Sequence, residues 1–141
     1  CDEIWNPNIY IPLHTKLKLK VYSYWLNNKS DEQFWGTIYT NYYNVKDKCL
    51  NHLRTELLKT TYDLGWHFTS QGGHEKVKQK LIDSYTSETY ANEWVMANLE
   101  QNILDNKDFM GRNFTYTISE KEWPTYLKEN KEKYKHLCLK N

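Results

Sequence analysis

Five histidines and three cysteines are the side chains of this sequence most able to do metal or acid–base chemistry. His67 and His74 bracket Gly72 and Gly73, and a turn at those glycines brings two imidazoles together as the start of a metal site. The other ligands do not follow. The chain has no HExxH pair, no CxxC and no acidic cluster at ligand spacing, so a hydrolase built on His67 and His74 ranks last among the readings. His52 and Glu56 stand four residues apart, the spacing of an ordinary surface pair on a helix.

Phosphate and nucleophile chemistry find no better support. Gly36, Gly65, Gly72, Gly73 and Gly111 match neither nucleotide-binding fingerprint. No serine sits in a nucleophile-elbow context, and Cys49 falls on an apolar helical stripe with nothing beside it to lower its pKa. The expectation is a non-enzymatic chain with no cofactor and no bound metal. Cys1, Cys49 and Cys138 are too few and too far apart for a zinc site or a disulfide-dense scaffold. Cys49 reads as a small buried hydrophobe, while Cys1 and Cys138 are a candidate disulfide between the termini in an oxidising compartment. Asn28-Lys29-Ser30 and Asn113-Phe114-Thr115 are glycosylation sequons, which makes Asn28 and Asn113 candidate acceptors.

Composition sets the frame for these residues. A chain of 141 residues suits a single domain, read here as one helical domain over 1–141. Its mean hydropathy of −0.90 leans towards disorder, but 16% aromatic residues supply the apolar area that disordered chains lack. With 19 basic and 18 acidic side chains the net charge is +1, which argues against nucleic acid as a partner. No stretch is apolar enough to span a bilayer or to serve as a signal peptide. The basic run from Lys128 to Lys140 reads as a solvated helix face.

The elements that must position these residues read as helices. Phe34, Ile38, Tyr42, Val45, Cys49, Leu53 and Leu57 recur at steps of three or four, predicting a long helix from Ser30 or Asp31 to Leu64, closed by Gly65. Leu13 to Leu26 is read as a helix, although Lys16 to Val21 alternates as a strand does; a lone strand would leave its backbone unpaired. Gln71, Gly72 and Gly73 mark a loop, followed by helical spacing from Val77 to Asp105 with a pause at Thr86 and Ser87. Asn106 to Thr117 reads as a loop. A last helix opens either at a capping box of Ser119 and Glu122 or at Pro124. The sum is an all-α bundle of three to five helices with an aromatic-rich core, each helix anchored by its own tryptophan.

Trp25 followed by Phe34, then Cys49 and Leu53, then Trp66 resembles the first half of the PHIST domain of malaria parasites. Trp123 followed eleven residues later by Tyr134 resembles its closing tryptophan pair, with tyrosine at the second place. The resemblance implies an exported or secreted helical adaptor that engages host or surface-protein partners, and it carries no catalytic residue. Independently of it, the aromatic surplus points to protein recognition: Tyr22, Trp35, Tyr39, Tyr43 and Tyr116 are candidates for an exposed patch, with Trp35, Tyr39 and Tyr43 as the partner-binding set. The alternative is a secreted helical carrier holding a small apolar ligand between aromatic-lined helices. The oligomeric state is not readable from the sequence.

Overall fold

The computed structural model describes residues 13–49, 52–53, 59–61, 65–84 and 87–140. In chain order the strands are β1 (Thr15–Ser23), β2 (Asn28–Tyr39), β3 (Lys59–Thr61), β4 (Trp66–Thr69) and β5 (Tyr116–Ile118). The helices are α1 (Gly73–Asp83), α2 (Ser87–Tyr90), α3 (Glu93–Leu104), α4 (Thr125–Glu129) and α5 (Lys131–Tyr134), with 3-10 turns at Tyr42–Asn44 and Lys135–Leu137. The strands join in one mixed sheet of order β3-β1-β2-β5, with β4 also pairing β1. β3 runs parallel to β1 with Thr15 opposite Lys59, and β5 runs antiparallel to β2 with Asn28 opposite Ile118.

This architecture overturns the expected all-α bundle. The segment read as a first helix is β1, and the first part of the long helix is β2. The reason lies in the spacing itself: a step of four keeps residues on one side of a helix, but it is also two periods of a strand. Phe34 and Ile38 satisfy both. What separates the two is composition, and Phe34, Trp35, Thr37, Ile38 and Tyr39 form a β-branched and aromatic run. In β1 the alternation decides, with Thr15, Leu17 and Val21 buried while Lys16, Lys18 and Lys20 between them are half-exposed. The partners that a lone strand lacked come from 59–61, 66–69 and 116–118. The helical bundle read from the sequence is therefore not the frame of this chain.

The chain divides into two compact units, residues 1–20 with 33–67 and residues 21–32 with 68–141. The described core of the second unit is helical. Val77 and Leu81 on α1 and Val95, Leu99 and Ile103 on α3 are spaced to share one face of each helix, and they close around Tyr24. α3 starts at Asn92, whose side-chain oxygen accepts the Val95 N–H at 3.0 Å. α1 starts at Gly72 and Gly73, whose N–H groups both donate to the Tyr24 carbonyl. Gly73 is required there: its φ is +78°, and a Cβ would lie 3.0 Å from the Trp25 ring. Pro124, rather than Ser119, stands immediately before α4.

The most buried stretch of this unit is a turn. From Val21 to Asn28 every residue but Trp25 is buried, and the segment contains the link between β1 and β2. Buried turns are rare because their polar groups need partners. Here the rest of the unit supplies them. Leu26 N–H donates to the Leu137 carbonyl at 2.9 Å, and its own carbonyl accepts Trp123 Nε1 at 2.8 Å. Asn27 accepts the Ser119 N–H on its carbonyl, and its side-chain amide both donates to and accepts from the Leu139 backbone.

Candidate functional site

In the first unit β2 ends in a run of aromatics. Trp35 is half-buried with the Lys18 ammonium 5.5 Å from its ring centre, so it braces the strand. Beyond it the chain turns outward. The Asn41 side-chain oxygen accepts the Asn44 N–H at 3.1 Å and caps the 3-10 turn, while Thr40 Oγ1 meets His14 Nδ1 at 3.0 Å and accepts from Asn44 Nδ2 at 3.3 Å. Tyr42 and Tyr43 project from this capped turn edge-to-face, with ring centres 6.2 Å apart. They are 72% and 80% exposed, and Tyr39 at the strand end is 45% exposed. Three tyrosines within five residues, one at a strand end and two on a capped turn, present apolar rings with a polar tip at low entropy cost.

Of the expected partner-binding set, Tyr39 and Tyr43 lie on this surface, whereas Trp35 lies beneath Lys18. Tyr42 was assigned to an inward helical stripe; the cue to its exposure is Asn41, a capping residue in mid-stripe. Tyr22 is fully buried, and Tyr116 is half-buried in a polar network. Cys49, expected to be buried, is exposed.

That network links Tyr24, Glu32, Asp108, Arg112 and Tyr116, and it looks superficially like an active site. Asp108 is 2% exposed. Its Oδ1 accepts from the N–H groups of Met110 and Arg112 and from Arg112 Nε, and its Oδ2 from Arg112 Nη2 at 2.7 Å and the Tyr116 hydroxyl at 3.2 Å. Arg112 Nη1 reaches Glu32 at 3.2 Å. The hydrogen bonds to Asp108 hold the Arg112 proton more tightly than usual, and burial followed by the Tyr24 contact pushes Tyr116 upward. Both carboxylate oxygens of Asp108 are thus engaged by groups of the chain itself. The cluster fixes the loop after α3 onto β5.

His67 stacks flat on Phe34 with ring centres 3.8 Å apart, and His74 on α1 stands 3.3 Å from Glu75 and 3.6 Å from Glu100. Among the described residues no group of three His, Cys, Asp or Glu side chains could hold a metal ion, and no helix is long and apolar enough to cross a membrane. Comparison with protein-family models, with curated proteins and with solved structures gives no match. The site is therefore read from its own geometry.

The remaining sequence candidates are placed as follows. Asn28 is fully buried and its Nδ2, the atom that would carry a glycan, donates to Asn106 Oδ1 at 2.7 Å. Asn113 is exposed. Cys138 carries a free, half-buried thiol, whereas Cys1 lies outside the described residues and with it the Cys1–Cys138 pairing.

Proposed function

We propose that this chain is a non-enzymatic protein-recognition module whose contact surface is the tyrosine end of β2. The observation that carries the reading is the exposure of Tyr42 and Tyr43 on a turn capped by Asn41. Large aromatic rings held in water by ordered backbone are costly unless a partner covers them, and tyrosine is among the residues that dominate interface hot spots. Trp35 acts from below by fixing the strand, and Lys46 and Lys48, both exposed, supply the polar rim.

The test is alanine at Tyr39, Tyr42 and Tyr43 together, with capture of partners from the native source measured against the parent chain. Capture by the triple variant should fall at least about thirty-fold, since each hot-spot ring is worth roughly 2 kcal/mol or more. Tyr126→Ala, a variant at a tyrosine 55% exposed in the other unit, should retain it. Equal loss in both variants would mark the capture as general aromatic adhesion.

A further inference from the structure

The C-terminal basic run forms more than a solvated face. A cavity of about 420 Å3 opens in the second unit, within the span of ligand pockets, and Lys131, Lys135 and Lys140 line it together with Glu120. The Lys131 ammonium is 2.5 Å from Glu120, and Lys135 is 3.4 Å from Glu132, which does not line the cavity. No described carboxylate pairs with Lys140. Lys131 and Lys135 each have a carboxylate partner, so three ammonium groups against Glu120 and Glu132 leave a surplus of one positive charge, at Lys140.

The rest of the lining is Asn27, Cys138 and two apolar side chains. Ile118 on β5 and Leu139 face the same space. Leu139 is clamped through both its N–H and its carbonyl by the buried amide of Asn27, at 2.8 Å and 3.0 Å. That wall is therefore ordered before any ligand arrives.

We propose that this cavity binds a small phosphomonoester, with the phosphoryl group among the lysines and an apolar body against Ile118 and Leu139. A phosphate ester carries about −1.5 to −2 charge at neutral pH and offers three acceptor oxygens, one for each lysine of the wall. Lysine suits it as a mobile point charge, whereas a planar carboxylate would favour the arginine fork that this cavity lacks. The lining of this cavity belongs to the second unit, and the proposal does not depend on the role of the tyrosine end of β2.

Cys138 lines the cavity and reports on it, while exposed Cys49 serves as an internal control. Burial and the Glu120 carboxylate raise the Cys138 pKa, with Lys131 opposing them. A bound dianion both covers the thiol and pushes it further in the same direction, so occupancy slows alkylation on either count. The experiment alkylates the full chain with iodoacetamide and follows each cysteine peptide by mass spectrometry. At about ten times its Kd, phenyl phosphate should slow Cys138 roughly ten-fold, because only the empty site reacts, and leave Cys49 unchanged.

Lys135→Ala and Lys140→Ala should each raise the concentration needed about ten-fold, with unchanged circular dichroism. A phosphotyrosine peptide run in parallel identifies whether the phosphoryl group arrives free or on a protein, by whichever protects at lower concentration. The proposal is overturned if sodium chloride at equal ionic strength protects Cys138 as well, or if protection survives both substitutions. It is likewise overturned if phenylacetate or inorganic phosphate matches phenyl phosphate, since the first removes the phosphoryl assignment and the second the apolar one.

Discussion

Tyr22 and Tyr24 are two buried rings on one short segment whose hydroxyls have opposite fates. The Tyr22 ring stacks on Phe68, with centres 5.2 Å apart, but its hydroxyl has no hydrogen-bond partner among the described residues. The Tyr24 hydroxyl donates to the Lys107 carbonyl at 3.0 Å and accepts the Phe109 N–H at 2.9 Å. Tyr22→Phe removes an unsatisfied polar atom and is expected to be neutral or stabilising by about 1 kcal/mol, whereas Tyr24→Phe should cost about 1 to 3 kcal/mol. Urea unfolding of the two variants checks the sign. Burial also pushes both phenols up to about 12. Below pH 10 the folded and unfolded chains both keep these protons. Between pH 10 and 12 the unfolded chain loses a proton that the folded chain retains, so stability falls as pH rises, by up to about 1.4 kcal/mol per unit for each phenol. Tyr22→Phe should remove one of those contributions, and its stability relative to the parent should climb from pH 9 to pH 11.5. A constant difference across that range would show that the Tyr22 proton is not coupled to folding.

Helices α1 and α3 show which elements a sequence discloses. Val77 and Leu81, and then Leu99 and Ile103, follow steps of four over segments free of proline, and both segments are helices with those residues inside, although Trp94, the expected tryptophan anchor of α3, is 53% exposed and Val95 is buried in its stead. Leu99→Ala, at a site 2% exposed, should lower stability by about 2 to 5 kcal/mol through lost burial and an unfilled cavity. Asn92→Ala should cost about 1 kcal/mol by freeing the Val95 N–H. Thermal melts of the two separate a core contribution from a cap, and equal losses would mean that the cap governs how α3 docks. The strands were hidden for a physical reason. Steps of four in Phe34, Ile38 and Tyr42 satisfy two periodicities at once, and strand pairing needs partners from tens of residues away. Ser30 and Asp31 looked like helix caps because they carry short acceptors. Those acceptors serve the Glu32 N–H and the Thr115 N–H and hydroxyl instead, the second of these spanning from β2 to the approach to β5. The tyrosine end of β2 was half legible, since Tyr39 and Tyr43 were identified by type while the turn that exposes Tyr42 depends on the strand before it.

At the scale of the second unit, the buried turn between β1 and β2 organises what surrounds it, and this was the least legible feature of all. Asn27 and Asn28 do mark a change of direction, as local propensity implies. Their burial is set by Trp123, Leu137 and Leu139, whose approach no local pattern encodes. The basic stretch from Lys128 to Lys140 reads from the sequence as a solvated helix face, whereas three of its lysines line a cavity together with Ile118 of β5 and Asn27. One substitution tests whether the turn and the C-terminal segment open together. Asn27→Ala deletes both bonds to Leu139 and nothing of the Trp123 or Leu137 contacts, so about 2 kcal/mol of local stability should be lost. Amide exchange should therefore quicken by about thirty-fold in peptides covering 137–140, by the usual conversion of roughly 1.4 kcal/mol per ten-fold. Peptides from α3 should exchange at the parent rate, because their protection derives from Val95, Leu99 and Ile103 rather than from the clamp. If α3 quickens by the same factor, the segment and the helical core unfold as one body and Asn27 holds them both.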